Sequence, residues 1–208
     1  YNQTFLNQPL GSLKRESILE DLEKMNKKVP VRSKVDKKFT WNAESVFKSD
    51  KAWEKEVEQI LQDISKVKAY QGCLAQSPSL LLEALTASYN LLSRTQIAFM
   101  YAAFSYAVDT TNQKAGGQRG QAQGMYGQVL SAVSFLQPEI LAIGKETLDQ
   151  WMSQEEKLAT YKHSFEDLFR KQAHVRSAEV EELLGMVSDP LQGPGTSTNM
   201  LTNADFKF

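Results

Sequence analysis

The stretch LLLEALTASYNLLSRTQIAFMYAAFSYAV, residues 80–108, decides the fold. Its apolar side chains, among them Leu81, Leu85, Tyr89, Leu92, Ile97, Phe99 and Phe104, fall on nearly every side of a helix. A helix that is apolar most of the way round is buried on most sides. Ser77-Pro78 opens it well: the serine hydroxyl can cap an end N–H, and proline at the first helical position removes a donor that has no helical partner anyway. About 30 residues at the helical rise give a rod of roughly 45 Å, the axis on which other elements must pack. The aromatic run Phe99, Tyr101, Phe104, Tyr106 is read as core rather than as a ligand-stacking wall.

Working outward, Asp109-Thr110-Thr111-Asn112 is a turn-and-cap cluster. In the next segment Gly117, Gly120, Gly124 and Gly127 make one stripe at helical spacing. Glycine costs about 1 kcal/mol per site in a helix interior, so the stripe predicts a small-residue face against which another helix packs closely. With Met125, Tyr126, Val129 and Leu130 on the same segment, residues 80–108 and 125–136 should form an antiparallel hairpin with Phe104 buried in it. Upstream, Asp50 is an N-cap candidate, and Trp53, Val57, Ile60, Leu61, Ile64 and Val67 follow as a one-sided amphipathic helix closed by Gly72. Residues 29–47 read as extended or irregular, with Trp41 seeking burial. Residues 1–11 read as loop, and Ser12–Lys28 as a helix ended by Pro30.

Downstream, Pro138-Glu139 starts a helix packed through Ile140, Leu141, Ile143, Leu148 and Trp151. Ser153-Gln154-Glu155-Glu156 reads as a capping box opening a helix to about Lys171. Ser177 caps a further helix, Ala178–Met186. Asp189-Pro190, Gly193-Pro194-Gly195 and a Ser/Thr run then predict a mobile loop, and Asn203–Phe208 alternates like an opening strand. The fold class is therefore all-α: an antiparallel bundle of long helix hairpins with the start of a strand at its C-terminal end. Residues 1–28 form an extension, 29–76 the extended segment and first amphipathic helix, 77–187 the main helical lobe, and 188–208 the loop and strand.

The chain has 208 residues, 41% apolar and 24% charged, which is ordinary for a globular domain. A formal net charge of −1 argues against nucleic-acid partners, which select for basic excess. The lysines near the start, Lys24 to Lys38, are interleaved with acids and read as a solvated face. Cys73 is the single cysteine, so no intrachain disulfide can form, and a cytoplasmic setting is expected. No run of about 18 apolar residues predicts a membrane helix, and no signal peptide opens the chain. It begins at Tyr1 and stops at Asp205-Phe206-Lys207-Phe208, and is read as a fragment.

Chemistry is sparse. His163 and His174 are the two histidines. On one straight helix their spacing would hold them about 16 Å apart, too far for one zinc, whose nitrogen ligands sit at about 2.0–2.1 Å. No HExxH, GxSxG, GxGxxG or GxxxxGK occurs. Cys73, in QGCLAQ, has no histidine nearby in sequence. Glu166, Asp167, Glu179, Glu181 and Glu182 are patterned as solvent-facing helix residues. No catalytic residue and no metal ligand is assigned, and the substrate-binding residues are unknown.

One longer stretch carries more. YKHSFEDLFRKQAHVRSAEVEELLG, residues 161–185, followed by LTNADFKF, resembles the oligoendopeptidase F group of thimet-type metallopeptidases. Upstream blocks agree in order: VPVRSKVDKKFTWNAESVFKSDKAWEKEV, YQGCLAQSPSLLLEAL, YAAFSYAVDTTN and SFLQPEILAI. The resemblance spans roughly residues 29–208. It implies the N-terminal helical part of a zinc-dependent endopeptidase that hydrolyses short peptides in a channel between helical halves. In that family HExxH supplies two zinc ligands and the general base, and a later helix adds a glutamate. All lie in a C-terminal catalytic domain, so the implied partners are that domain and short peptides, with zinc held there and none by this segment. Where the family carries alanine and other helix formers, this chain has Gly116 to Gly127. A reading of another class is a stand-alone, non-catalytic helical interaction module.

Overall fold

A computed structural model of the chain describes residues 34–174 and 176–202. The chain divides into two compact units, Tyr1–Trp41 and Asn42–Phe208. In the first, a short 3-10 turn, Lys37–Phe39, is capped by Asp36, whose carboxylate accepts the Lys38 N–H at 3.1 Å. The helix expected over Ser12–Lys28, the loop before it and the strand expected over Asn203–Phe208 lie outside the described residues.

In the second unit every regular element among the described residues is helical, as expected for an all-α chain. Helix α1 is Asp50–Lys68, with Ser49 as its N-cap, and buries Trp53, Val57, Ile60 and Val67. Helix α2 is Pro78–Ala107, capped by the Ser77 hydroxyl, which accepts the Leu80 N–H at 3.1 Å. Helix α3 is Gln113–Val133, started by Asn112, whose side chain accepts from Ala115. The turn between α2 and α3 is short, and Gln96 meets Tyr126 while Tyr106 lies against Gly116, so the two helices run antiparallel. The core sits among these three rods. At its centre the fully buried Trp53 indole N–H donates to the Ala98 carbonyl at 2.8 Å, satisfying a polar group that could not otherwise be buried cheaply.

Two expectations change here. Helix α2 is not buried all round: Tyr89, Ile97 and Phe104 are 45%, 47% and 44% exposed. Its inner arc is carried by Leu81, Ala84, Leu85, Ser88, Leu91, Thr95, Ala98, Tyr101 and Ala102, where small residues let neighbouring rods approach; of the aromatic run read as core, Tyr101 is buried and Phe104 lies on the flank. Three of the four stripe glycines of α3 are not at a close contact either. A Cβ built on Gly117, Gly120 or Gly124 meets nothing within 4 Å, because Ala115, Ala122, Met125 and Val129 face inward instead. The close approach lies elsewhere, at Gly185, where a Cβ would come within 3.2 Å of the Ser131 Cα.

The remaining helices close one end. Helix α4 (Leu136–Ile143) and helix α5 (Lys145–Gln154) are separated by Gly144, whose φ of 87° ends the first and starts the second. Glu139 on α4 reaches the α1–α2 connection, its carboxylate accepting the Gly72 N–H at 2.6 Å and the Leu74 N–H at 3.4 Å. The capping box predicted at Ser153 does not form. That serine lies in the last turn of α5, its hydroxyl bonded back to the Asp149 carbonyl, a competing local bond open to serine within a helix. A 3-10 stretch, Glu156–Tyr161, intervenes before helix α6, Lys162–Arg170. The loop predicted from Asp189 is also corrected: helix α7 runs Ala178–Leu191 and helix α8 Gly193–Met200. Pro194 falls in the first turn of α8, where a helix tolerates proline best, whereas Pro190 lies inside the final turn of α7, where it removes one backbone donor and the helix ends one residue later.

Candidate functional site

Helix α6 has one apolar face, on which Phe165 is buried and Leu168 half-buried. It ends at Arg170, with the Lys171 N–H shared between the carbonyls of Asp167 and Leu168, at 3.0 and 3.1 Å, as the backbone tightens toward a 3-10 turn. A single 3-10 turn follows, Gln172–His174, with the His174 N–H bonded to the Lys171 carbonyl at 2.8 Å. His174 thus lies at a helix junction, as its position in the sequence suggested. The two histidines do not share one α-helix, however, since α6 ends between them. Both His163 and His174 border one cavity of about 640 Å³.

Its floor is apolar and drawn from four helices: Leu85 and Leu92 of α2, Leu130 and Val133 of α3, Leu136 and Ile140 of α4, Phe165 and Leu168 of α6. Its rim carries His163, Asp167, Lys171 and His174. Tyr89, on the exposed flank of α2, also lines it and stacks on Tyr161 with centroids 5.5 Å apart; Tyr161 in turn leans on Phe165. Burial first, and then the neighbouring Tyr161, raise the Tyr89 hydroxyl above its usual pKa, so it remains a donor. Asp167 is already engaged: Lys171 reaches it at 2.6 Å and Arg170 joins from the same helix. Lys171 first and Arg170 second hold its carboxyl below the ordinary range, which makes it an ionised structural partner and not a base of raised pKa.

This arrangement can hold an apolar group beneath a polar, partly cationic rim. It does not fit zinc. Among the described residues no three His, Cys, Asp or Glu side chains gather closely enough to hold a metal ion, and the one carboxylate on the rim is taken by two cations. Of the other candidates, Cys73 lies in the turn after α1 and does not line the cavity. Glu166 and Glu179 are exposed, Glu182 pairs with Lys68 at 3.5 Å, and the Glu181 side chain lies outside the described residues.

A second cluster escaped the sequence reading. Arg94 of α2 clamps two carboxylates of α1, its Nε donating to Glu56 at 2.6 Å and its Nη1 to Asp63 at 2.7 Å. Lys66 adds a second cation on Asp63 at 2.7 Å, and Lys66 and Arg94 together pull that carboxyl down to about 2. Glu56 and Asp63 stand seven residues apart, two turns up the same face, which is the pattern that could have revealed them. Every charge here has its partner, so the cluster joins α1 to α2 and offers no reactive group. Among the described residues no helix is long and apolar enough to cross a membrane.

Comparison with known proteins places these helices. The family model described as Oligopeptidase F matches residues 139–208. The Oligopeptidase PepF of Bacillus subtilis is 35% identical over 207 residues, covering all of this chain and 31% of that protein. The plasmid-borne Oligoendopeptidase F of Lactococcus lactis subsp. cremoris is 30% identical over 85% of this chain and 30% of its own length. The crystal structure of oligoendopeptidase-F from Enterococcus faecium superposes with a TM-score of 0.72 at 27% identity, covering 77% of this chain and 32% of that one. The chain thus spans about a third of the length of these relatives. The resemblance read from residues 161–185 is borne out: the chain is an N-terminal portion of the oligoendopeptidase F type.

Proposed function

We propose that this chain is the substrate-restricting helical part of a zinc-dependent oligoendopeptidase that hydrolyses peptide bonds in short peptides in the cytoplasm. The observation that carries the reading is the match along all of the chain to a third of an oligopeptidase. Catalysis would then reside in the rest of the polypeptide, where a zinc ion would polarise the scissile carbonyl and activate water. The residues described above hold no such centre and contribute by shape. The long α2–α3 hairpin, stiffened by α1, forms a wall that admits narrow, unfolded peptides and rejects folded proteins. The apolar cavity of α6 opens on that lobe as a place for a peptide side chain.

The test is to read the coding frame past Phe208 and to express the longer polypeptide. An HExxH downstream, with cleavage of short fluorogenic peptides that a chelator abolishes and zinc restores, is the expected result. A frame that ends without HExxH, or a longer polypeptide that cleaves no peptide with zinc supplied, would overturn the reading in favour of a non-catalytic interaction module.

A further inference from the structure

Helix α7 is seated with its apolar side outward. Gly185 presses on Ser131 of α3, and Glu182 pairs with Lys68 of α1, which fixes the side of α7 that faces the bundle. On the opposite side, Val180, Leu183, Leu184, Val187 and Leu191 recur at helical spacing. That is the stripe a surface helix normally buries. Here Val180, Leu183, Leu184 and Leu191 are 42%, 58%, 52% and 72% exposed. Met200 and Leu201, at the end of α8, are about half exposed as well, at 49% and 48%. Single exposed leucines are ordinary, but a contiguous stripe of large apolar residues on a helix is the mark of an interface.

We infer that the outer face of α7 is a permanent docking surface for the remaining two thirds of the polypeptide. Two observations select this occupant over others. The relatives that match this chain are about three times its length, so a large body of sequence has to be accommodated against it. In addition, the stripe lies on one of the last two helices described, so sequence that follows is joined to it by a short span of chain and can fold back on it at small loop-closure cost. The stripe is wholly apolar, as in obligate interfaces, and lacks the mixed polarity of transient ones. The inference rests on the proposal that a catalytic part follows, but it concerns a surface and not a reaction.

The test is a double substitution, Leu183→Glu with Leu184→Glu, made in the 208-residue chain and in the longer polypeptide. In the short chain the melting temperature is expected to stay unchanged, because both side chains already meet water. In the longer polypeptide the pair should separate the two parts, read as cleavage after α8 by an added protease that is faster by about tenfold or more. Equal insensitivity in both contexts would overturn the inference. So would destabilisation of the short chain, which would place the stripe in its own core, or a dimer of the short chain broken by the pair while the longer polypeptide is untouched. Peptide cleavage measured in the same samples keeps the two readings apart. An active enzyme indifferent to the substitutions sinks the surface alone, and a tightly protected but inactive polypeptide sinks the peptidase reading alone.

Discussion

Asp63 shows how much of this fold turns on single side chains. Its carboxyl ordinarily titrates near 3.8 and is held at about 2 in the folded chain by Lys66 and Arg94. A group with a depressed folded pKa binds its proton more readily when unfolded, so its stabilisation is full above about pH 4 and is lost as pH falls toward 2. Comparing the chain with Asp63→Asn cancels the other titrating groups. The substituted chain should melt lower at neutral pH, and the gap should close as pH drops from about 4 to about 2. A gap that persists at pH 2 would show that the carboxylate contributes through shape and not charge. At this scale the sequence was only partly legible. The burial of Trp53 follows from helical periodicity, but its bond to the Ala98 carbonyl joins positions 45 residues apart. The Arg94 clamp likewise links two helices whose relative rotation no local pattern specifies.

Among the elements, α3 leaves Gly117, Gly120 and Gly124 open where close contact was expected. Because nothing lies within 4 Å of a Cβ at Gly120, Gly120→Ala should stabilise the chain by about 0.5–1 kcal/mol through lower unfolded-state entropy, measured by urea unfolding. The same change at Gly185 should destabilise, since the new methyl would meet the Ser131 backbone. Phe104 tests the hairpin in the same assay. A fully buried phenylalanine costs about 3–5 kcal/mol on truncation, and at 44% exposure Phe104→Ala should cost nearer 1–2 kcal/mol. Helix existence was legible wherever caps and periodicity agreed, as at Ser77-Pro78 and Asn112. Boundaries failed where two local bonds competed. Ser153 could have capped the helix after it but bonds the one before it, and Gly193-Pro194-Gly195 carries loop chemistry on a helical backbone.

For the molecule as a whole, the class and the hairpin order were legible because helix pairs joined by short turns have few ways to pack. The candidate site was not. The spacing of the histidines allows both to face one way, but the floor beneath them is drawn from α2, α3 and α4, which no local pattern around residues 163–174 specifies. Most of the ties in the bundle link neighbours in sequence, but the Glu139 carboxylate reaches back 67 positions to the Gly72 amide. A contact of that span is unrewarded until the three long rods have aligned, so it should form after the rate-limiting barrier of folding. Glu139→Gln should then leave the refolding rate close to that of the parent chain and hasten unfolding, moving one arm of the chevron and not the other. If the refolding arm moves instead, the join between α1 and α2 belongs to the nucleus. If only the unfolding arm moves, that one carboxylate works as a latch: it governs how long the folded lobe lasts before it opens, and leaves untouched how quickly it is made.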